Sequence, residues 1–231
     1  EGGHLDVSYQ DERGQTVHAA EASGSWSGEA YQLHFLGDRL RIAYNDYTIN
    51  PDNQLSLRKR DNFLLGSLKL TGEKRGEFSL QGTEETPGVQ DILLSIHNLH
   101  LEDYRSLGLP DVGGIFFGDV HYQRKGDLSQ QPTISGDLSI SDLRYEDKKL
   151  GHFTSSLFYE PRSGDSHYIT GEIGYNGQPA MSIDGIYYPR EKVSPLKGTL
   201  TLTSFPLELA NPFLAENSTT LAGTADGSIT L

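Results

Sequence analysis

Cysteine is absent from the 231 residues, which leaves this chain neither a disulfide scaffold nor thiolate chemistry. Long apolar runs are missing too. No stretch approaches the roughly 18 consecutive apolar residues of a membrane helix, so no transmembrane segment is expected within it. Positive charge is also in deficit: a net charge of -13 opposes the phosphate neutralisation on which nucleic-acid binding depends, and nucleic acid is not an expected partner. The opening Glu1-Gly2-Gly3-His4 has neither a basic start nor an apolar core, so any targeting signal is expected upstream. The last residues, Ile229-Thr230-Leu231, read as mid-strand, and the chain is expected to be a fragment of a longer one.

Helical periodicity is scarce, whereas alternation with period 2 dominates. From Thr133 to Ser141, Ile134, Gly136, Leu138 and Ile140 share one face and only Thr, Ser and Asp occupy the other. Leu221 to Leu231 alternates in the same way apart from Ala222. Half-buried strands are also expected around Leu40-Ile42-Tyr44, Leu64-Leu70, Phe78-Leu80, Leu94-Ile96, Phe153-Tyr159, Ile169-Tyr175, Met181-Tyr187 and Leu200-Leu202. Gly126-Asp127, Ser163-Gly164-Asp165, Thr86-Pro87-Gly88 and above all Asn176-Gly177 supply turns for a meander. Leu101 to Gly108 and Pro206 to Ala215 are expected as short capping helices, the second interrupted by Pro212.

Internal repetition sharpens this picture. Leu94 to Glu102, Leu138 to Glu146 and Leu200 to Glu208 align without gaps, and in each the apolar parity slips at a small polar residue, Asn98, Asp142 or Ser204. A slip of one residue reverses the faces, so each predicts a bulge or a strand end. Gly114-x-x-x-Gly118-x-Val120-x-Tyr122 matches Gly223-x-x-x-Gly227-x-Ile229-x-Leu231. Glycine on an inward face suits close backbone approach, tight curvature or eased twist. One continuous repeat-like domain over 1–231 is expected, with a soft boundary near 83–90.

The Gly-x-Leu-x-[Ile/Leu]-x-x-[Leu/Phe]-x-[Leu/Tyr]-Glu pattern at Gly136 and Gly198, the Gly-x-x-x-Gly-x-[Val/Ile] strand and the passage Asn45 to Asn53 resemble the C-terminal region of TamB-like proteins, bacteroidete members included. These are inner-membrane-anchored subunits of the translocation and assembly module, in the AsmA-like group. The resemblance implies an elongated, curved, stacked sheet folded as a U-shaped trough, or β-taco. It implies a place in the periplasm of a Gram-negative cell, with the full-length protein anchored in the inner membrane. Phospholipid or unfolded outer-membrane β-strands are the implied cargo, and an outer-membrane barrel the implied partner.

Physical chemistry leads the same way: a sheet with one apolar face must cover it, close on itself or offer it to a ligand. The expected groove is lined by Leu138, Ile140, Phe153, Leu157, Ile173, Met181, Ile183, Leu200, Leu202, Ile229 and Leu231. A closed β-sandwich of a cell-surface adhesion module, recognising glycan or protein, is the alternative suggested by 12 tyrosines and the turn-rich meander.

Catalytic constellations are not expected. Gly24-Ser25-Trp26-Ser27-Gly28 puts tryptophan where a nucleophile elbow needs serine. His97 and His100, three apart in a strand, are expected on opposite faces without a third metal ligand. Asp46, Asp52 and Asn53 lack the spacing of a calcium loop and read as a solvated turn. Glu84-Glu85 and Glu102-Asp103 read as solvated pairs, and Asn217-Ser218-Thr219 as a chance sequon. Tyr122, Tyr145, Tyr159, Tyr175 and Tyr187-Tyr188 are expected to pack across strands. No cofactor, no metal and no enzymatic activity are expected.

Overall fold

A computed structural model describes residues 2–73, 75–107, 111–126, 129–146, 148–214 and 220–231. The alternating segments form β1 (Gly2–Gln10), β2 (Thr16–Trp26), β3 (Ala30–Ile42), β4 (Asn45–Ile49), β5 (Gln54–Arg58), β6 (Phe63–Gly72), β7 (Glu77–Thr83), β8 (Val89–His100), β9 (Val112–Lys125), β10 (Thr133–Tyr145), β11 (Lys148–Arg162), β12 (Ser166–Tyr175), β13 (Gln178–Tyr187), β14 (Leu196–Pro206) and β15 (Thr224–Thr230). The protein is all-β. Among the described residues helix is limited to short 3-10 stretches at Leu101–Leu107 and Leu207–Ala210 and to α1 (Asn211–Leu214), which cap strands without forming a layer. Gly108, Asp127, Ala215 and the sequon Asn217-Ser218-Thr219 lie outside the described residues.

The chain forms two compact units, one of Glu1–Pro110 with Phe116–Pro132 and one of Asp111–Ile115 with Thr133–Leu231. The division falls within β9. The stretch 83–90, expected as a soft boundary, instead holds the turn of the antiparallel β7–β8 hairpin inside the first unit. In that unit β1, β2 and β3 pair in sequence, β3 then pairs with both β4 and β5, and these two meet again on β6. The second unit is an uninterrupted antiparallel meander from β10 to β15. Its β12–β13 hairpin turns on Asn176 and Gly177, with φ of 48° and 79°, the positive pair that a two-residue turn demands.

The strands run through all three parity slips, and the register shows a bulge at two of them, Asp142 and Ser204. Asn98, Asp142 and Ser204 have φ of 54°, 51° and 46°. On β10 the register moves from Ile140 opposite Phe153 to Leu143 opposite Gly151, three residues against two. On β14 it moves identically, from Leu202 opposite Gly227 to Phe205 opposite Ala225. The extra residue restores parity, so Ile140 and Leu143 keep to one face, as do Leu202 and Phe205. Asn and Asp tolerate the left-handed conformation. Ser204 has a compensation in its amide, which donates to the Asp226 carboxylate at 2.7 Å.

Two strand boundaries differ from expectation. Ala43 and Tyr44, both at positive φ, form the β3–β4 turn, so Tyr44 does not extend the strand of Leu40 and Ile42. Leu221 to Gly223 lies outside β15, where the Asn211 side chain holds the backbone of Leu221 at both its N–H and its C=O. Alternation marks residues able to occupy a strand; it carries no signal for a side chain that captures the backbone first.

Burial is concentrated in the first unit. Leu40, Ala43, Tyr47, Ile49, Leu70 and Tyr104 form its core, with Phe78 and Leu99 packed against it. Tyr104, from the 3-10 cap, meets Tyr47 hydroxyl to hydroxyl, and the Phe78 ring lies edge-on to both at 5.6 and 6.4 Å. Arg75 latches that cap through a two-pronged bond to Asp103 at 2.6 and 2.7 Å. Burial, then the Asp103 charge, pushes the Tyr47 phenol up to about 12.

At the other end of β6, Phe63 is fully buried between two guanidiniums, Arg58 at 4.9 Å and Arg124 at 5.5 Å from the ring centre. Arg58 grips Asp61 at 2.7 and 2.8 Å and Glu84 at 2.6 Å. Arg124, itself buried, donates to the carbonyls of Asp61 and Asn62. Glycine is obligatory nearby: Gly66 faces Gly82 across β6–β7, and a Cβ at Gly66 would fall on the Gln54 carbonyl.

Two outcomes are expected. Asp142→Val lowers stability by about 1–2 kcal/mol, while Asp142→Gly stays within about 0.5 kcal/mol of the parent, by urea unfolding at unchanged m-value. The Arg58 hydrogen bond holds the Asp61 carboxyl down at about 2, below its ordinary 3.8. Because the folded value is the lower one, this stabilisation is present above about pH 4 and is lost as the pH falls toward 2. Stability–pH curves of the parent and Asp61→Asn therefore converge over that window.

Candidate functional site

Antiparallel register decides which side chains share a face, since directly opposed residues project to the same side. In the second unit one row runs Leu138, Ser155, Ile173, Met181, Leu202, Gly227. The next runs Gly136, Leu157, Gly171, Ile183, Leu200, Ile229. A third carries Ile140, Phe153 and Tyr175. Leu231, two residues beyond Ile229, follows the same parity, with its amide on the Gly198 carbonyl at 2.9 Å. The structure thus places all eleven residues expected to line a groove on a single face of one meander. On the opposite side the row Asp137, Ser156, Glu172, Ser182, Thr201 and Ser228 is polar, with Phe158, Tyr168 and Ile186 among mostly polar residues in the rows beyond it.

Aromatic rings border the aliphatic field. At one end Phe153 and Tyr175 lie 5.2 Å apart. At the other Tyr159 stacks on His167 at 5.3 Å, with Tyr187 at 6.0 Å on its other flank. The Tyr159 hydroxyl bonds His167 Nδ1 at 2.6 Å, while the buried Nε2 has no hydrogen-bond partner among the described residues. Ile134, Ile169, Tyr159 and Tyr187 belong to this face as well and were not among the expected lining; their parity in the alternating runs was the available signal. Between Ile169 and the strand end, Gly185 opposes Gly198, whose Cβ would sit 2.6 Å from the Gly185 Cα, so the backbones approach closely there.

Within its own unit this face has no second layer among the described residues. Ala180 is the one hydrophobic residue fully buried in the second unit among those described, and it sits at the β13 bulge. Leu157 is 46% exposed, Ile229 51% and Leu231 40%. Six strands and the seven residues from Phe153 to Tyr159 span roughly 24 by 20 Å, on the order of 500 Å² at standard strand spacings. That matches the size of the largest apolar patch found on ordinary monomers, a kind of patch that is often functional. In the first unit an apolar cleft of about 510 Å³ is lined by Leu5, Ala22, Trp26, Tyr31, Leu33 and Leu57.

The remaining candidates resolve into structural roles. Ser25 donates to Gln32 and Ser27 caps its own turn, so no nucleophile is assembled around Trp26. His97 and His100 lie on β8 on either side of Asn98, whose φ is 54°. They engage separate partners, Asp119 for His97 and Arg75 for His100. Asp46 is paired with Arg41 at 2.6 Å, and Asn53, far from being solvated, is buried and binds both backbone groups of Phe35. Glu84 and Asp103 are ion-paired to Arg58 and Arg75; the Arg58 hydrogen bond holds the Glu84 carboxyl below its ordinary range. No group of three metal-ligating side chains occurs among the described residues. No protein-family model, curated protein or solved structure matches the chain.

An uncovered face and a core respond differently to truncation. Leu157→Ser is expected to cost less than about 1 kcal/mol, and Phe63→Ala about 3–5 kcal/mol, in urea unfolding. Equal costs would mean that Leu157 is packed as a core residue.

Proposed function

We propose that this chain is a non-catalytic scaffold of the TamB type. Its open apolar sheet receives the acyl chains of phospholipid, or the apolar side chains of unfolded outer-membrane β-strands, in transit across the periplasm. One observation carries the reading: eleven large apolar side chains share a face on which little is buried by the rest of its unit. Each methylene laid on such a surface is worth about 0.8 kcal/mol when fully buried, so a long acyl chain is held without any positioned polar contact. The polar rows on the other side keep that face wetted. A continuous field also lets cargo slide, because no single site is deeper than its neighbours. In this reading the full-length protein is anchored in the inner membrane and hands its cargo to an outer-membrane barrel. The sealed β-sandwich of an adhesion module would instead bury these side chains, and the exposure of Leu157 and Ile229 weighs against it.

Photocrosslinking amino acids at Leu157, Ile183 and Leu200, with Ser156, Ser182 and Thr201 as controls on the opposite face, test this in intact cells. Phospholipid or outer-membrane protein adducts are expected from the first set alone. Adducts from both sets equally, or from neither, overturn the reading.

A further inference from the structure

A polar cleft of about 680 Å³ lies on the first unit, walled by Gln81 and Thr83 of β7, Asp91 and Leu93 of β8, and His121 and Gln123 of β9. Its volume falls within the roughly 300–1,000 Å³ of small-ligand clefts. Register places Gln81 directly opposite Leu93 and Thr83 opposite Asp91, on the side of the sheet away from Phe78, which packs into the core. The polar groups are held in fixed positions. Asp91 Oδ1 accepts from Gln123 Nε2 at 3.1 Å and lies 2.7 Å from His121 Nε2. Those bonds leave Asp91 Oδ2 and Gln123 Oε1 as acceptors without a partner among the described residues. The turn that brings Glu85 and Thr86 to the rim is braced as well. Glu84, gripped by Arg58, accepts the Gly88 amide at 2.8 Å, and Gly126, just past β9, donates to the Gly88 carbonyl at 2.8 Å. Side chains set on paired strands and a tied turn bind with little ordering cost.

The chemistry of the lining narrows the ligand. It includes the carboxylates of Glu85 and Asp91 and no lysine or arginine, which disfavours phosphate and carboxylate groups. The backbone groups of β7 and β8 are spent on their own ladder, so an extended peptide finds no edge to join there. What the cleft offers is a dense set of hydroxyl, amide and carboxylate groups around one apolar side chain, Leu93, 41% exposed. A pyranose ring carries the complement, a hydroxyl on nearly every carbon and an apolar C–H face. We propose that this cleft binds a neutral oligosaccharide of N-acetylated amino sugars. An acetamido group joins an amide to a methyl, and Gln81 opposite Leu93 presents an amide and an isobutyl group side by side. Asp91 Oδ2 and Gln123 Oε1 accept from the ring hydroxyls. The proposal stands apart from the cargo reading, which concerns the apolar face of the second unit.

Isothermal titration calorimetry of the whole chain tests it with tri-N-acetylchitotriose, cellotriose, the glucosamine trimer and N-acetyl-trialanine amide. The acetylated sugar is expected to bind with a dissociation constant below about 1 mM, and cellotriose at least about tenfold more weakly. Asp91→Ala is expected to weaken the acetylated sugar at least about tenfold at an unchanged urea midpoint. Gln81→Ala is expected to cut the preference over cellotriose to less than about threefold, a change that unfolding would not produce. Leu157→Ser, on the cargo face, is expected to leave the affinity unchanged. A weaker dissociation constant than stated, or equal binding of cellotriose or of the peptide, overturns the proposal. So does tightest binding by the glucosamine trimer, whose free amines answer the acidic charge alone, or an affinity indifferent to Asp91→Ala.

Discussion

Face parity is the constraint on which the rest of this fold depends. In an antiparallel ladder each residue commits its opposite number to the same side, so one uncorrected slip turns every later apolar side chain outward. The protein meets this by inserting one residue in the left-handed conformation at Asp142 and at Ser204, and Asn98 at the matching place on β8 takes the same conformation. Each bulge costs local pairing and keeps the aliphatic rows continuous beyond it, from Ile140 to Leu143 and from Leu202 to Phe205. The glycine pairs Gly66–Gly82 and Gly185–Gly198 serve the same end differently, by letting neighbouring backbones approach where any side chain would block them.

The two units obey this constraint and then diverge. The first splits its sheet at β3, closes both ends of β6 with aromatic and guanidinium plugs, and collects a core around Tyr47 and Phe63. The second remains a plain meander whose apolar rows end in rings and are not plugged. Ion pairs differ in burial: Arg58 with Asp61 and Glu84, and Arg75 with Asp103, are partly buried and brace the first unit, while Arg190 with Asp165 and Lys197 with Glu191 lie near the surface of the second.

Much of the second unit was legible because period 2 is a local signal and its pairing is between neighbours in sequence. The Asn176-Gly177 turn, the shared face of Leu138 through Ile229 and the bulge positions all follow from spacing alone. What was hidden depends on distance along the chain. The buried roles of Asn53 and Arg124, and the Arg58–Glu84 bond, join residues 18 or more apart that no local pattern links. The paired fates of β4 and β5 were hidden for the same reason. Leu5, Val7 and Tyr9 did alternate, but three apolar residues at a chain end are a weak signal beside the long runs further on.

Arg124 has a bearing on how the chain comes to be folded. Its guanidinium caps carbonyls at positions 61 and 62, and covers the ring of Phe63, from more than sixty residues downstream. The pairing of β1 to β7 is between segments near in sequence, whereas the cover of Phe63 is completed only by a residue of β9. Closure around Phe63 therefore joins two distant stretches of chain, one guanidinium arriving from five residues upstream of the ring and the other from beyond the whole of β8.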